Sequence, residues 1–295
     1  MSSFVSAVGF GIVTASIIAL GAVGFTLQLG VTNIFNLAFG AAMTVSAFVG
    51  YEVHAAFHVS IWLAAAVAAL AGAVLAMTIQ ALLYGPFLKR GSSVFTVVMV
   101  SLALGVVLEY IVEAIAGPGF YSYGLPPARS VHFIGLTFTT RQLVIIALAV
   151  VAMLGLHVLL KMTRLGRAMR ATAADAELAR LSGINTRLVV LVTWAISGTL
   201  CGMTGVVLAM NTVVFDHSTA NEFLLLIIAA AVVGGIGEPY GAMAGALCVG
   251  LVSEISAIWI PQLKDLVALA LLSVVLLAFP GGISGGRRAT ELSTT

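Results

Sequence analysis

Carboxylates set in apolar sequence are the first residues here that could do chemistry, because an ionised side chain at the bilayer centre costs about 2.5–3.5 kcal/mol or more and persists there for a functional reason. Glu109, Glu113, Glu222 and Glu254 are the candidates. Glu109 and Glu113 stand four residues apart near the expected outer end of one apolar run, and Glu222 opens another run from the same side. Glu254 is the deep carboxylate, and it reads equally as part of a transport path or as a hydrogen-bonded contact between helices. No central proton relay accompanies it, so the power for any transport is expected on a separate polypeptide.

Enzymatic patterns are missing. The three lysines follow Leu88, Leu160 and Leu263, so no Gly-x4-Gly-Lys-Ser/Thr loop exists to cradle phosphates. Gly282-Ile283-Ser284-Gly285 has the GxSG spacing of a serine nucleophile, yet it follows the last apolar run with no histidine after it and reads as a flexible helix exit. His, Cys and Asp nowhere fall at metal-ligand spacing, and no cofactor or metal is expected on this chain. Cys201 and Cys248 lie in apolar stretches and read as small hydrophobes.

The most informative stretch is polar, from about 162 to 187. Its alanines and leucines predict a helix of about three to four turns that is too charged to cross a bilayer. Gly183 fits the C′ position of a Schellman ending, with Ile184 packing back toward Leu178 or Ala179. Ala168, Ala171, Ala174 or Asp175, and Leu178 share one face, flanked by arginines. Such a helix suits a groove on a protein partner or the surface of anionic lipid, and composition leaves both open. Glycine supplies another signal. Gly234-Gly235-Ile236-Gly237-Glu238-Pro239-Tyr240-Gly241 interrupts an apolar run, and the pairs Gly241/Gly245 and Gly198/Gly202 have the spacing that lets helices approach closely. A helix broken there exposes backbone dipoles to a polar ligand, while close packing alone accounts for the same glycines. Asn33 and Asn36, followed by Gly40, form a comparable polar break.

The elements that must position these residues follow from composition. The chain has 295 residues, 61% hydrophobic and 8% charged, with a mean hydropathy of +1.17; a soluble domain holds about 45–50% apolar and about 25% charged residues. A soluble enzyme, a disordered chain and a nucleic-acid binder are excluded. Met1 to Tyr51 carries no Asp, Glu, Lys or Arg, which is room for two spans split within Thr26–Asn33. The opening run lacks a basic region and is too long for a cleavable signal peptide. Further charge-poor segments cover 61–84, 93–116, 142–161, 188–210, 222–237, 240–260 and 264–280. The expected class is an all-α polytopic membrane protein of about eight to nine transmembrane helices, with 222–237 short enough for a half-helix or a re-entrant piece. Lys89, Arg90, Lys161, Arg164, Arg167, Arg170, Arg180, Arg187, Arg287 and Arg288 fall on one side under alternate crossing, leaving Arg129, Arg141 and Lys264 for the other. The first side is therefore cytoplasmic, and so is the C-terminus.

Four stretches together resemble a known family: Asn33-Ile-Phe-Asn-Leu-Ala-Phe-Gly40, Arg164-Leu-Gly-Arg-Ala-Met-Arg-Ala171 continuing to Leu181-Ser-Gly-Ile-Asn185, Val233-Gly-Gly-Ile-Gly237, and Phe279-Pro-Gly-Gly-Ile283. In order, over roughly residues 10 to 285, they are similar to the permease subunits of branched-chain amino acid ABC importers. The resemblance implies a single transmembrane permease domain over 1–286 with a cytoplasmic tail at 287–295, in a bacterial-type plasma membrane. It implies partners: cytoplasmic ATPase subunits that hold the ATP and Mg, a second related permease subunit, and an extracytoplasmic substrate-binding protein. Arg164, Gly166, Arg167, Arg170, Asp175 and Gly183 then carry the role of a coupling helix docked on an ATPase. Asn33, Asn36, Gly40, Gly234, Gly235, Gly237 and Glu254 become candidates for the translocation path and its bends. Similar family members serve urea and short amides, so the motifs fix the machine better than its cargo. The family commonly has a histidine where this chain has Phe39, which bears on cargo preference if that position faces the path. A stand-alone, ion-coupled transporter is the rival from another class.

Overall fold

The computed structural model describes residues 2–126, 130–133, 136–278 and Gly282. Twelve helices and one hairpin follow in order: α1 (Ser2–Thr32), α2 (Phe39–Phe57), α3 (Ile61–Ile79), a π-helical turn (Gln80–Tyr84), α4 (Gly85–Lys89), α5 (Val94–Ala116), β1 (Ser130–Phe133), β2 (Leu136–Thr139), α6 (Thr140–Met162), α7 (Arg164–Ala174), α8 (Ala176–Leu181), α9 (Thr186–Thr212), α10 (Thr219–Gly234), α11 (Pro239–Ser256) and α12 (Lys264–Ala278). β1 and β2 pair antiparallel with Ser130 opposite Thr139. The all-α polytopic class is met. Arg129, Arg287, Arg288 and most of the Phe279–Ile283 motif, Gly282 excepted, lie outside the described residues.

Six helices among the described residues are long and apolar enough to cross a membrane, and α10 with α11, bent by 120°, add at most one more span. At 16 residues α10 is about 24 Å long, short of a hydrocarbon core of about 30 Å, and the chain turns back at its end. Tyr51, Glu52 and His54 dilute the second half of α2, which is not among the six. The first break also moves: α1 continues through Thr26 and Gln28, both buried, to Thr32, whose hydroxyl donates back to the Gln28 carbonyl at 2.7 Å. Polar side chains in that run are absorbed inside the fold and do not break the helix.

The backbone divides into two compact units, one of residues 27–123 and 152–223 and the other of 1–26, 124–151 and 224–295. In the first, α3 lies against α9 with backbone touching backbone. A Cβ on Gly72 would stand 3.1 Å from the Gly202 Cα, and one on Gly202 would stand 2.9 Å from the Ala69 Cα. The pair Gly198/Gly202 thus serves helix packing. Ile34, Ala76, Ile79, Tyr84, Val97 and Trp194 form a buried cluster at one end of this seam. Between α3 and α4 the helix widens into its π turn. Pro86 has no N–H and its ring presses on the preceding turn, and one extra residue relieves that conflict without ending the helix. The second unit is closed in the same manner. A Cβ on Gly250 of α11 would approach the Ala15 Cα of α1 to 2.6 Å.

Candidate functional site

The polar segment after α6 is a helical elbow. Thr163 caps α7, accepting the Gly166 N–H at 3.0 Å, while its hydroxyl donates to the Leu159 carbonyl at 2.6 Å. Gly166 rests on the last carbonyls of α6, and a Cβ there would overlap those of Leu159 and Leu160. The Arg170 guanidinium donates to the Leu160 carbonyl, so a cation sits on the negative end of the α6 dipole. Gly166, Met169 and Thr172 face inward. Arg164, Arg167, Arg180 and Arg187 are exposed, together with Met162, Leu178, Leu181 and Leu188.

The expected single helix is two helices. Asp175 is extended (φ −156°, ψ 108°), ending α7 and starting α8, and its carboxylate accepts the N–H groups of Glu177 at 2.8 Å and Leu178 at 2.9 Å. Aspartate competes for backbone donors, which makes it a good cap and a poor helix interior. The predicted face of Ala168, Ala171, Ala174 and Leu178 is therefore not continuous. Ala168 and Ala171 are half-buried and Leu178 is exposed. The Schellman ending is present: Gly183 has φ +84°, Ile184 N–H donates to the Ala179 carbonyl and Gly183 N–H to that of Arg180, both at 3.1 Å.

The first polar break, 33–38, separates α1 from α2. Asn33 takes a left-handed conformation (φ 54°) and is exposed. Asn36 is buried, and its Oδ1 accepts the Ala38 N–H at 3.1 Å and the Tyr84 hydroxyl at 2.8 Å. Ser101 of α5 accepts the Leu37 N–H at 3.1 Å and donates to the carbonyls of Phe35 and Val98. Gly40 and Phe39 are buried, and the Phe39 carbonyl accepts the Cys201 thiol at 3.4 Å. Sequence alone does not single out Tyr84 and Ser101. The signal for Tyr84 is Gly85-Pro86 inside an apolar helical run, which marks an irregular turn beside it.

The second break, 235–238, is built from glycine. Gly235 (φ 115°) and Gly237 (φ 81°) occupy conformations that side chains resist. Gly234 touches the Gly241 backbone, where a Cβ would lie 2.5 Å from the Ala242 nitrogen, and a Cβ on Gly245 would lie 2.8 Å from the Gly234 nitrogen. Gly282 closes on the same turn; its Cβ would stand 2.6 Å from the Gly235 Cα. Glu254 is tied on both sides, its Oε1 accepting the Thr14 hydroxyl at 3.0 Å and the Lys264 ammonium at 3.3 Å.

At the end of α9 away from the elbow, polar contacts fasten the 213–222 segment to α5. His217 Nε2 lies 3.9 Å from Glu113 Oε2, and the Asn221 amide donates to Glu109 Oε2 at 3.3 Å. Tyr121 and Phe215 exchange backbone hydrogen bonds of 2.8 and 2.9 Å. The i,i+4 carboxylates thus meet a second i,i+4 pair. Burial works to raise the Asp216 pKa, but hydrogen bonds from Thr219 and Ser218 outweigh it and hold the carboxyl below the ordinary range. A cavity of about 10 Å³ beside this loop, lined by Thr44, Asp216, Thr219 and neighbours, has room for about one water and none for an amino acid.

Long apolar helices, small-residue crossings and a charged elbow define a multi-pass helical membrane protein whose polar residues mostly tie one segment of chain to another. A family model described as branched-chain amino acid transport system / permease component matches residues 7–276. The high-affinity branched-chain amino acid transport system permease protein LivH of Escherichia coli K12 is 30% identical over 290 residues, 93% of each chain. The high-affinity branched-chain amino acid transport system permease protein BraD of Pseudomonas aeruginosa is 28% identical over 294 residues, 93% of this chain and 94% of that one. A xylose transport system permease protein, XylH of Haemophilus influenzae, is 33% identical over 111 residues, 36% of this chain and 29% of that one. The chain belongs to the branched-chain amino acid transport system permease family.

Proposed function

We propose that this chain is the membrane-spanning subunit of an ATP-driven importer for branched-chain or related hydrophobic amino acids, working with a second permease subunit, cytoplasmic ATPases and an extracytoplasmic binding protein in the inner membrane. The observation that carries the reading is family membership over residues 7–276 joined to an elbow that offers arginines and bare leucines to a protein partner. The concentration of Lys and Arg on the elbow side supports a cytoplasmic elbow and C-terminus. ATP binding and hydrolysis on the partners would move α7 and α8, and the spans would alternate their access, because only a partner that binds two conformations unequally can shift them. Arg164, Arg167, Arg170 and Asp175 take the coupling role; the breaks at 33–40 and 234–237 take the role of bends beside the path. The double tie on Glu254 favours an interhelical contact over a driving-ion site.

Reconstitution with the co-purified ATPase tests this, asking which loaded binding protein stimulates hydrolysis. Branched-chain amino acid should stimulate it, and urea or a short amide should not. Arg167→Glu should leave the protein inserted while uptake is lost and hydrolysis no longer responds to the loaded binding protein. Normal uptake by that variant at normal expression overturns the coupling assignment. Glu254→Gln should still require ATP; loss of an ion requirement in its place would favour the secondary transporter.

A further inference from the structure

Within the unit of residues 27–123 and 152–223, α9 both continues the elbow and borders the first break. The four residues between α8 and α9 are all held: Ser182 N–H donates to the Leu178 carbonyl at 3.0 Å, Gly183 and Ile184 close the Schellman ending, and Asn185 caps α9 by accepting the Leu188 N–H at 3.1 Å. Trp194, Ser197 and Cys201 then fall at i, i+3 and i+7, on one face of α9 over about 10 Å of its length, and all three are buried. Each is tied to the stretch around 33–38 at a different point. Ser197 donates to Gln28 Oε1, before the break, at 3.2 Å. The Trp194 ring lies against Tyr84, centroids 5.2 Å apart, and the Tyr84 hydroxyl donates to Asn36 inside the break at 2.8 Å. The Cys201 thiol donates to the Phe39 carbonyl, where α2 begins, at 3.4 Å.

The chain leaves helical geometry between Thr32 and Phe39, so 33–38 is the compliant part of this stretch, and a few residues of that kind absorb the dihedral change when rigid pieces move. α9 is stiff by comparison. It is 27 residues of unbroken helix, locked by Gly198 and Gly202 to α3, which runs on into the π turn that carries Tyr84. A rod fastened before, within and after a joint cannot shift along its axis without working that joint. We propose that α9 is the rod that delivers elbow motion to the first break, with Trp194, Ser197 and Cys201 as its positioning residues. This route presupposes an elbow moved by an ATPase, as proposed above, and adds where the motion goes. A partner that favours one position of α7 and α8 would thereby favour one setting of 33–38.

Amide hydrogen exchange on the reconstituted complex with its co-purified ATPase tests the route, comparing the nucleotide-free state with the ATP–Mg state trapped by vanadate. Ser182 and Gly183 report on the elbow, and Leu37 and Ala38, whose N–H groups are held by Ser101 and Asn36, report on the break. Exchange at both places should differ between the two states, at the break by about fivefold or more. In the triple variant Tyr84→Phe, Ser197→Ala, Cys201→Ala the elbow should still respond to nucleotide and the break should not. Ser101→Ala is the control for simple loosening, since Ser101 holds the break from α5: exchange at 37–38 should rise in both states and the nucleotide response should remain. An elbow that responds beside a break that does not, in the unsubstituted complex, overturns the proposal, and that comparison decides it even if the triple variant fails to insert. A full response at the break in a well-inserted triple variant, or its loss in Ser101→Ala, overturns the route through α9. Silence at both places overturns the coupling role of the elbow itself, and the route with it.

Discussion

At 33–38 the chain passes from one helix to the next through side chains that bond; at 235–238 it does so through side chains that are missing. Asn36, Tyr84 and Ser101 hold the first break with hydrogen bonds that reach into two other stretches of chain. The second break is held by backbone lying on backbone at Gly234, Gly241 and Gly245. Each turn satisfies its helix ends from within the chain. The routes fail differently. A bonded turn loses stability gradually as partners are removed, whereas a steric turn tolerates almost nothing added.

The largest effect should come from Gly234→Ala. Its methyl meets main-chain atoms that cannot step aside, so a loss of about 3 kcal/mol or more is expected, read as a lowered thermal unfolding midpoint or a failure to recover monodisperse protein. Asn36→Ala comes next, at about 1–3 kcal/mol, because it strands the Ala38 N–H and the Tyr84 hydroxyl in a buried place. Tyr84→Phe should cost about 1 kcal/mol, and a double-mutant cycle with Asn36→Ala should show coupling between them. Additivity of the two would break the contrast, since the first turn would then not be held by that bond. Smaller still, Gly237→Ala should cost about 1 kcal/mol for its left-handed φ, with part regained by Gly237→Asn, while Asn33→Gly should be tolerated. A third style of turn, closed by a charge, gives the smallest change. Asp216 has its pKa depressed in the fold, so its contribution is present above the ordinary aspartate value of about 3.9 and is lost as pH falls below it. Hydrogen exchange at Ser218 and Thr219 should accelerate in that acid window and not between pH 6 and 8.

Both breaks are legible in the sequence, but not how they are made. Glycine at 235 and 237 announces positive φ because little else adopts it, and Gly183 announces its Schellman ending for the same reason. The bonds that hold the first break are illegible, since Tyr84 stands 48 residues from Asn36 and Ser101 64 from Leu37; Gly85-Pro86 marks an irregular turn beside Tyr84 but not its partner. Asp175 has the chemistry of a cap, but the alanines on either side favour a continuous helix, so the split between α7 and α8 is not legible. Helix count suffers from a related blindness. The shortness of 222–237 marks a half-helix or a re-entrant piece, but hydropathy does not give the 120° bend between α10 and α11. The Glu254 contacts come from Thr14 and Lys264 on two other helices, and nothing local to Glu254 announces either partner.

One residue, Thr163, separates α6 from α7, and its hydroxyl is bonded on both sides while Arg170 clasps the preceding helix end. A joint built this way has no slack. Load applied to the short arm reaches the long one undamped, and α6, at 23 residues, is about 34 Å long. Tilting the joint by about 5° would sweep the far tip of that lever by about 3 Å, a displacement on the scale of a side chain, obtained without stretching a single linker.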